Sequence, residues 1–138
     1  MDKIINIWSL FDSVLNKYGE RIHEELSGLD ISMNEYKVLY IVHDKTVPMK
    51  YIAERLALAK GWITDIIDIM EAKGMVIRSR SVEDRRIINI EITEEGKKKY
   101  AEILSIIKNI IKKSLTGLNE SEIKSLSDIL LKIDNVLK

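Results

Sequence analysis

The sequence predicts a mainly α-helical chain with one small β-wing, an α+β fold with helices at both ends and a hairpin between them. Three observations predict it. Apolar residues recur every three or four positions through 2–29 and 94–138, the period of an amphipathic helix. From 75 to 92 the period falls to two, with Ile88, Ile90 and Ile92 alternating with Asn89 and Glu91, as in a half-buried strand. Just before that, two short helical stretches meet at a turn over 58–61, which matches a helix-turn-helix.

Bulk composition narrows the classes. A chain of 138 residues is one domain or one subunit. With 46% apolar residues it can bury a core, and its 22 basic and 22 acidic residues cancel. A nucleic-acid partner then depends on where charge is placed, not on its sum. The absence of cysteine excludes disulfides, thiolate redox sensing and cysteine-ligated zinc. No leader pattern and no apolar run of about 18–20 residues is visible, so the expectation is a soluble, cytoplasmic chain without a membrane partner.

The first helix spans 2–29. Ile4, Trp8, Phe11, Leu15, Tyr18, Ile22, Leu26 and Leu29 form one stripe. It is longer than a small lobe needs, which points to a helix shared with a second copy. Gly19 marks a candidate bend. Ser32 and Glu35 are spaced as a capping box and start a second helix. That helix is apolar on most faces, hence buried between layers. Pro48 fits the first turn of a third helix, where its missing N–H costs nothing, and Ile52, Ala53 and Leu56 face inward. A fourth helix, 60–73, buries Ile63, Ile66, Ile67 and Met70, and Gly74 supplies the left-handed cap that ends it. A strand at 75–80, a polar tip at 81–86 and a strand at 88–92 make the wing. Thr93 with Glu94 and Glu95 opens a fifth helix. Its stripe is Tyr100, Leu104, Ile107, Ile111 and Leu115, widened by Ile103, Ile106 and Ile110. Gly117 breaks it, and Asn119 with Glu122 caps a sixth helix carrying Ile123, Leu126, Leu130, Ile133 and Leu137. The terminal helices hold more apolar surface than the central unit can cover, which predicts a homodimer.

Five motifs lie in order along the centre: Ile52-Ala53-Glu54-Arg55-Leu56, Ile63-Thr64, Met70-Glu71-Ala72-Lys73-Gly74-Met75-Val76, Asp84-Arg85-Arg86, and Ile92-Thr93-Glu94-Glu95-Gly96. In this order and spacing they resemble the MarR (multiple antibiotic resistance regulator) family of winged helix-turn-helix transcriptional regulators. That family's pattern at these places is Leu-Ala-x-x-Leu, Val-Thr-Arg, Leu-Glu-x-x-Gly-Leu-Val, Asp-x-Arg and Leu-Thr-x-x-Gly. The chain departs from it at Asp65, where the family usually has arginine, and at Ile69, a position often polar or basic. The resemblance implies a single subunit over 1–138, with a DNA-binding lobe at about 32–93 and dimerisation helices at 1–29 and 94–138. It implies a homodimer on a pseudo-palindromic operator in double-stranded DNA, in a family of which many members respond to small aromatic or anionic ligands; the expectation is a repressor relieved by such an effector, with no enzyme activity and no cofactor.

Candidate site residues follow from these placements. A recognition helix reads bases from its outer face and first turn, here Lys60, Gly61, Trp62, Thr64 and Asp65, with Asp68 beside them. The wing gathers Arg78, Arg80, Arg85 and Arg86 against Glu83, Asp84 and Glu91, and an arginine there suits a narrow minor groove. By the resemblance, Asp84 holds one arginine while Arg85 or Arg86 enters the groove. Lys97, Lys98 and Lys99 oppose the helix dipole where they stand and are candidates for phosphate contact. Trp8, Phe11, Tyr18, Tyr36, Tyr40 and His43 are the candidates for an effector cleft, being aromatics with polar tips; a core or interface stripe accounts for the same spacing. An alternative use of the fold is a protein-interaction module with weak DNA binding, motivated by Asp65, Ile69, Trp62 and a helix-turn-helix window of zero net charge. A zinc site from His23, His43 and Glu20 or Glu24 lacks ligand spacing. No nucleophile–base pair or phosphate loop points to an enzyme.

Overall fold

A computed structural model of the chain describes residues 2–137. The elements run α1 (Lys3–Ser27), α2 (Met33–Val42), β1 (Val47–Pro48), α3 (Met49–Leu56), α4 (Lys60–Ala72), β2 (Val76–Arg80), β3 (Ile88–Ile92), α5 (Glu94–Ser114) and α6 (Glu120–Val136). Local signals set most boundaries. Ser32 and Glu35 close a reciprocal capping box on α2, and Asn119 and Glu122 do the same on α6. The Thr93 hydroxyl accepts from Gly96 N–H to start α5. Gly74, at φ +77°, ends α4 in the left-handed conformation. Its N–H donates to the Glu71 carbonyl while Met75 N–H donates to the Met70 carbonyl, the paired bonds of a Schellman cap.

The sheet has three strands in the order β1-β3-β2, all antiparallel. The sequence predicts only the hairpin. β1 is two residues long, too short to show a period, and pairs Val47 with Ile90 and Pro48 with Asn89. Pro48 is therefore an edge-strand residue that also caps α3 with extended backbone (φ −63°, ψ 141°), not a first-turn residue. The edge is where a residue without N–H is tolerated. The turn between α3 and α4 is 57–59, with Ala57 left-handed at φ 53°, so Gly61 is already helical. α1 runs through Gly19 without interruption.

One core joins all lobe elements to α1 and α5. Its fully buried members include Leu26, Val38, Leu39, Ile52, Ile63, Ile67, Met70, Met75, Val76, Ile90 and Ile103. Ile103, not Leu104, is the buried centre of α5; Leu104 is exposed. A buried carboxylate, Glu35 (5% exposed), sits at the edge of this core. It accepts from Ser32 N–H and, at 2.8 Å, from Lys73 Nζ, while Lys73 also donates to the Asp30 carbonyl. The α1–α2 loop is thus stapled to the end of α4. Glu35→Ala removes a cap and strands the lysine, so we expect a loss of about 2–3 kcal/mol. Urea denaturation at fixed protein concentration measures it, and a loss under about 0.5 kcal/mol refutes the staple.

The two ends differ from the centre. α6 has no buried residue. Ile4, Ile7, Trp8 and Leu15 on the first half of α1 are exposed, as are Leu126, Leu130 and Ile133 on α6. No helix among the described residues is long and apolar enough to cross a membrane.

Candidate nucleic-acid interface

α4 presents the outer face expected of a reading helix. Ala59 caps it without a side-chain hydrogen bond, which leaves first-turn N–H groups open to an anion such as phosphate. Lys60 and Gly61 are exposed there, and a Cβ on Gly61 would meet no atom within 4 Å. Trp62 is 56% exposed, a large apolar side chain turned to solvent. The Thr64 hydroxyl donates to the Lys60 carbonyl at 2.9 Å, so its methyl is the more available end. Asp65 is exposed and has no cation partner among the described residues.

The wing arginines divide into distinct tasks. Arg78, half-buried on β2, donates through Nη2 to Asp68 Oδ1 at 2.6 Å and through Nη1 to Glu71 Oε1 at 2.9 Å. Nη2 also reaches the Thr64 carbonyl at 3.4 Å, and the Arg78 N–H donates to Glu71 Oε2. This guanidinium ties β2 to α4 and neutralises two acids of α4. Arg80 Nη1 donates to the Arg85 carbonyl at 2.8 Å, bracing the loop. At the tip, Asp84 Oδ1 accepts from Arg86 N–H and Nε, and Oδ2 accepts from Arg86 Nη2, all at 3.0–3.1 Å. The Arg86 side chain is 91% exposed, so Asp84 aims it outward without covering it. Those side-chain and then backbone bonds from Arg86 hold the Asp84 carboxyl below the usual carboxylate range. The hold lasts at neutral and mildly acidic pH and is lost only as pH falls through that lowered value. Arg85 is exposed beside it, and its side chain has no hydrogen-bond partner among the described residues.

Asp68 and Glu71 as acceptors for Arg78 were not readable from the sequence. They stand 10 and 7 residues away across a helix-to-strand turn, and spacing rules reach only within an element. A cleft of about 1030 Å³ between α3, the start of α4 and the wing has Pro48, Tyr51, Leu58, Lys60, Arg86 and Ile88 among its lining residues. Sequence periodicity gave no sign of it. Lys97 and Lys99 pair with Glu94 and Glu102 on α5.

The six aromatic cleft candidates are not all brought together. His43 stacks on Tyr100 with ring centroids 4.8 Å apart, and Tyr40 lies 5.9 Å from His43. Burial, then Tyr40, raises the Tyr36 pKa, and burial, then Tyr36, raises that of Tyr100. Tyr18 hydrogen-bonds Ser114, the last residue of α5. Trp8 and Phe11 precede Tyr18 on α1 by about 15 and 10 Å of helix, and neither forms an aromatic pair with Tyr40, His43 or Tyr100 among the described residues. Among the described residues no three His, Cys, Asp or Glu side chains, His23 and His43 included, are grouped to hold a metal.

The MarR family model matches residues 31–88. The chain is 33% identical over 117 residues to the uncharacterised HTH-type transcriptional regulator YfiV of Bacillus subtilis, covering 84% of this chain and 73% of that one. It is 33% identical over 82 residues to the HTH-type transcriptional repressor MdtR of the same organism, covering 59% and 53%. A MarR family protein of Bacillus stearothermophilus superposes with a TM-score of 0.87 at 20% identity, over 99% of this chain and 98% of the other.

Proposed function

The chain belongs to the MarR family of DNA-binding, winged-helix transcriptional regulators, and from that premise we propose that it represses transcription as a homodimer on a pseudo-palindromic operator until a small aromatic or anionic effector releases it. The lobe over about 32–93 is the DNA-binding part, and 1–29 and 94–138 supply the dimer. The observation that carries this reading is the wing tip, where Asp84 holds an exposed Arg86 guanidinium outward. That is the geometry a minor-groove contact requires. Lys60, Gly61, Trp62, Thr64 and Asp65 face the major groove beside it, with Arg80 and Arg85 supporting the wing and Arg78 fixing its position.

The exposed apolar stripes on α1 and α6 support a second copy. A patch of that extent is costly on a monomer, and one copy's α1 and α6 offer the matching surface to another. MdtR, a relative named as a repressor, supports the direction of control. Tyr36, Tyr40 and His43, with Tyr100, supply phenols and an imidazole for an effector at the junction of α1, α2 and α5. Tyr18 lies along the same α1–α5 seam, and Trp8 and Phe11 reach such a site only across a dimer.

A gel shift on the DNA upstream of the protein's own gene, across a salt series, tests the reading. Neutralising about four phosphates predicts an affinity loss of about 100-fold between 50 and 200 mM salt. No specific shift, or a flat response, refutes it. Sedimentation of the same sample must give twice the chain mass.

A further inference from the structure

Resting on the DNA-binding reading above, we propose that α4 selects its half-site through a cytosine amino group flanked by thymine methyls, with Asp65, Trp62 and Ile69 as the specificity-determining residues. Positions 62, 65 and 69 are three and four apart, so they share one stripe of the helix, and all three are exposed. Trp62 is 56% and Ile69 51% exposed. The other flank of the outer face is occupied: Asp68, Glu71 and the Thr64 carbonyl all receive Arg78. The stripe therefore carries one free acid between two apolar side chains. α4 has no arginine, and Lys60 is the one basic residue within its span, so the arginine–guanine contact is missing.

The chemistry of the groove then restricts what fits. A carboxylate repels phosphate and every base acceptor, and it is satisfied only by an amino donor. Cytosine N4 is such a donor; adenine N6 also donates, but its N7 lone pair lies alongside and repels a carboxylate. Trp62 and Ile69 offer apolar surface, and the thymine methyl is the apolar group of the major groove. Their Cα atoms are about 10 Å apart along the helix, or about three base steps of ~3.4 Å. The predicted core is a cytosine with thymines within three base pairs. A protein partner on Trp62 and Ile69 competes for the same face. DNA is favoured because the stripe lies on the reading helix of a DNA-binding lobe whose wing offers Arg86.

Selection from random double-stranded DNA by the full-length protein tests the proposal. The wild type should enrich the cytosine–thymine core. Asp65→Asn should move the preference at the cytosine to adenine, and Asp65→Ala should flatten it, with discrimination falling about tenfold or more. Replacing the core thymines by deoxyuridine should weaken binding several-fold, and Trp62→Ala or Ile69→Ala should remove that sensitivity. All three side chains are exposed, so thermal unfolding of the variants should match the wild type. Arg86→Ala should weaken binding and keep the preferred core. A core that Asp65→Ala leaves unchanged, or indifference to deoxyuridine, overturns the proposal while leaving DNA binding intact. So does full DNA binding by Trp62→Ala and Ile69→Ala, which reassigns the stripe to a protein partner. Failure of the wild type to enrich any sequence overturns the DNA-binding reading itself.

Discussion

Arg86→Ala should weaken operator binding about 30-fold, at about 1 kcal/mol for each of the two wings of the proposed dimer. The expectation rests on how the side chain is held. Asp84 takes the Arg86 N–H, Nε and Nη2, so the guanidinium is oriented before DNA arrives and little rotamer freedom is lost on binding. Its outward face stays open at 91% exposure. Fluorescence anisotropy on a labelled operator reads the change directly. Binding within twofold of the wild type would remove the wing from the interface. Because the side chain is 91% exposed and its hydrogen bonds go only to Asp84, the variant should unfold at the wild-type temperature, which separates lost contact from lost fold.

Gly96→Ala should damage the whole lobe. A Cβ built at Gly96 lies 2.1 Å from the Met75 carbonyl oxygen, 3.0 Å from the carbonyl carbon and 2.7 Å from Ile92 Cγ1. The obstacle is backbone and cannot swing aside. The Met75 carbonyl accepts from Thr93 N–H, and Met75 N–H is bound to the Met70 carbonyl. The methyl must instead push the start of α5 away from the wing, at a cost of about 3 kcal/mol or more. For a chain of this size that lowers the melting temperature by about 10 °C. Calorimetry at matched concentration measures it, and an unchanged transition would mean that α5 does not need this close approach.

The caps show what kinds of information the sequence holds. Ser32 with Glu35, Asn119 with Glu122, Thr93 and Gly74 act within three or four residues, so their roles follow from spacing alone. Ile88, Ile90 and Ile92 mark β3 for the same reason. β1 escapes notice because two residues carry no period. Ile103 and Leu104 sit on neighbouring edges of one stripe, and only packing against α1 and α2 decides that Ile103 is buried. At the site, the resemblance gives Asp84 an arginine partner but not which one, and the bonds from Arg86 N–H, Nε and Nη2 identify it. Arg78 reads as one more wing arginine, because its acceptors lie on another element. The aromatic residues are a similar case: a stripe along α1 gives no sign of where α5 ends, and Tyr18 with Ser114 marks that point.

Arg78 also settles how stiff the lobe is. One guanidinium joins three acceptors on α4 to a strand of the wing, while the core buries Met70 and Val76 on either side of the α4–β2 turn. The reading helix and the wing therefore move as a single piece, with their spacing set like the jaws of a gauge. In the proposed dimer the remaining coordinate is the span between two lobes, with α5, anchored to Gly74 and Met75 through Thr93, as the lever that would set it.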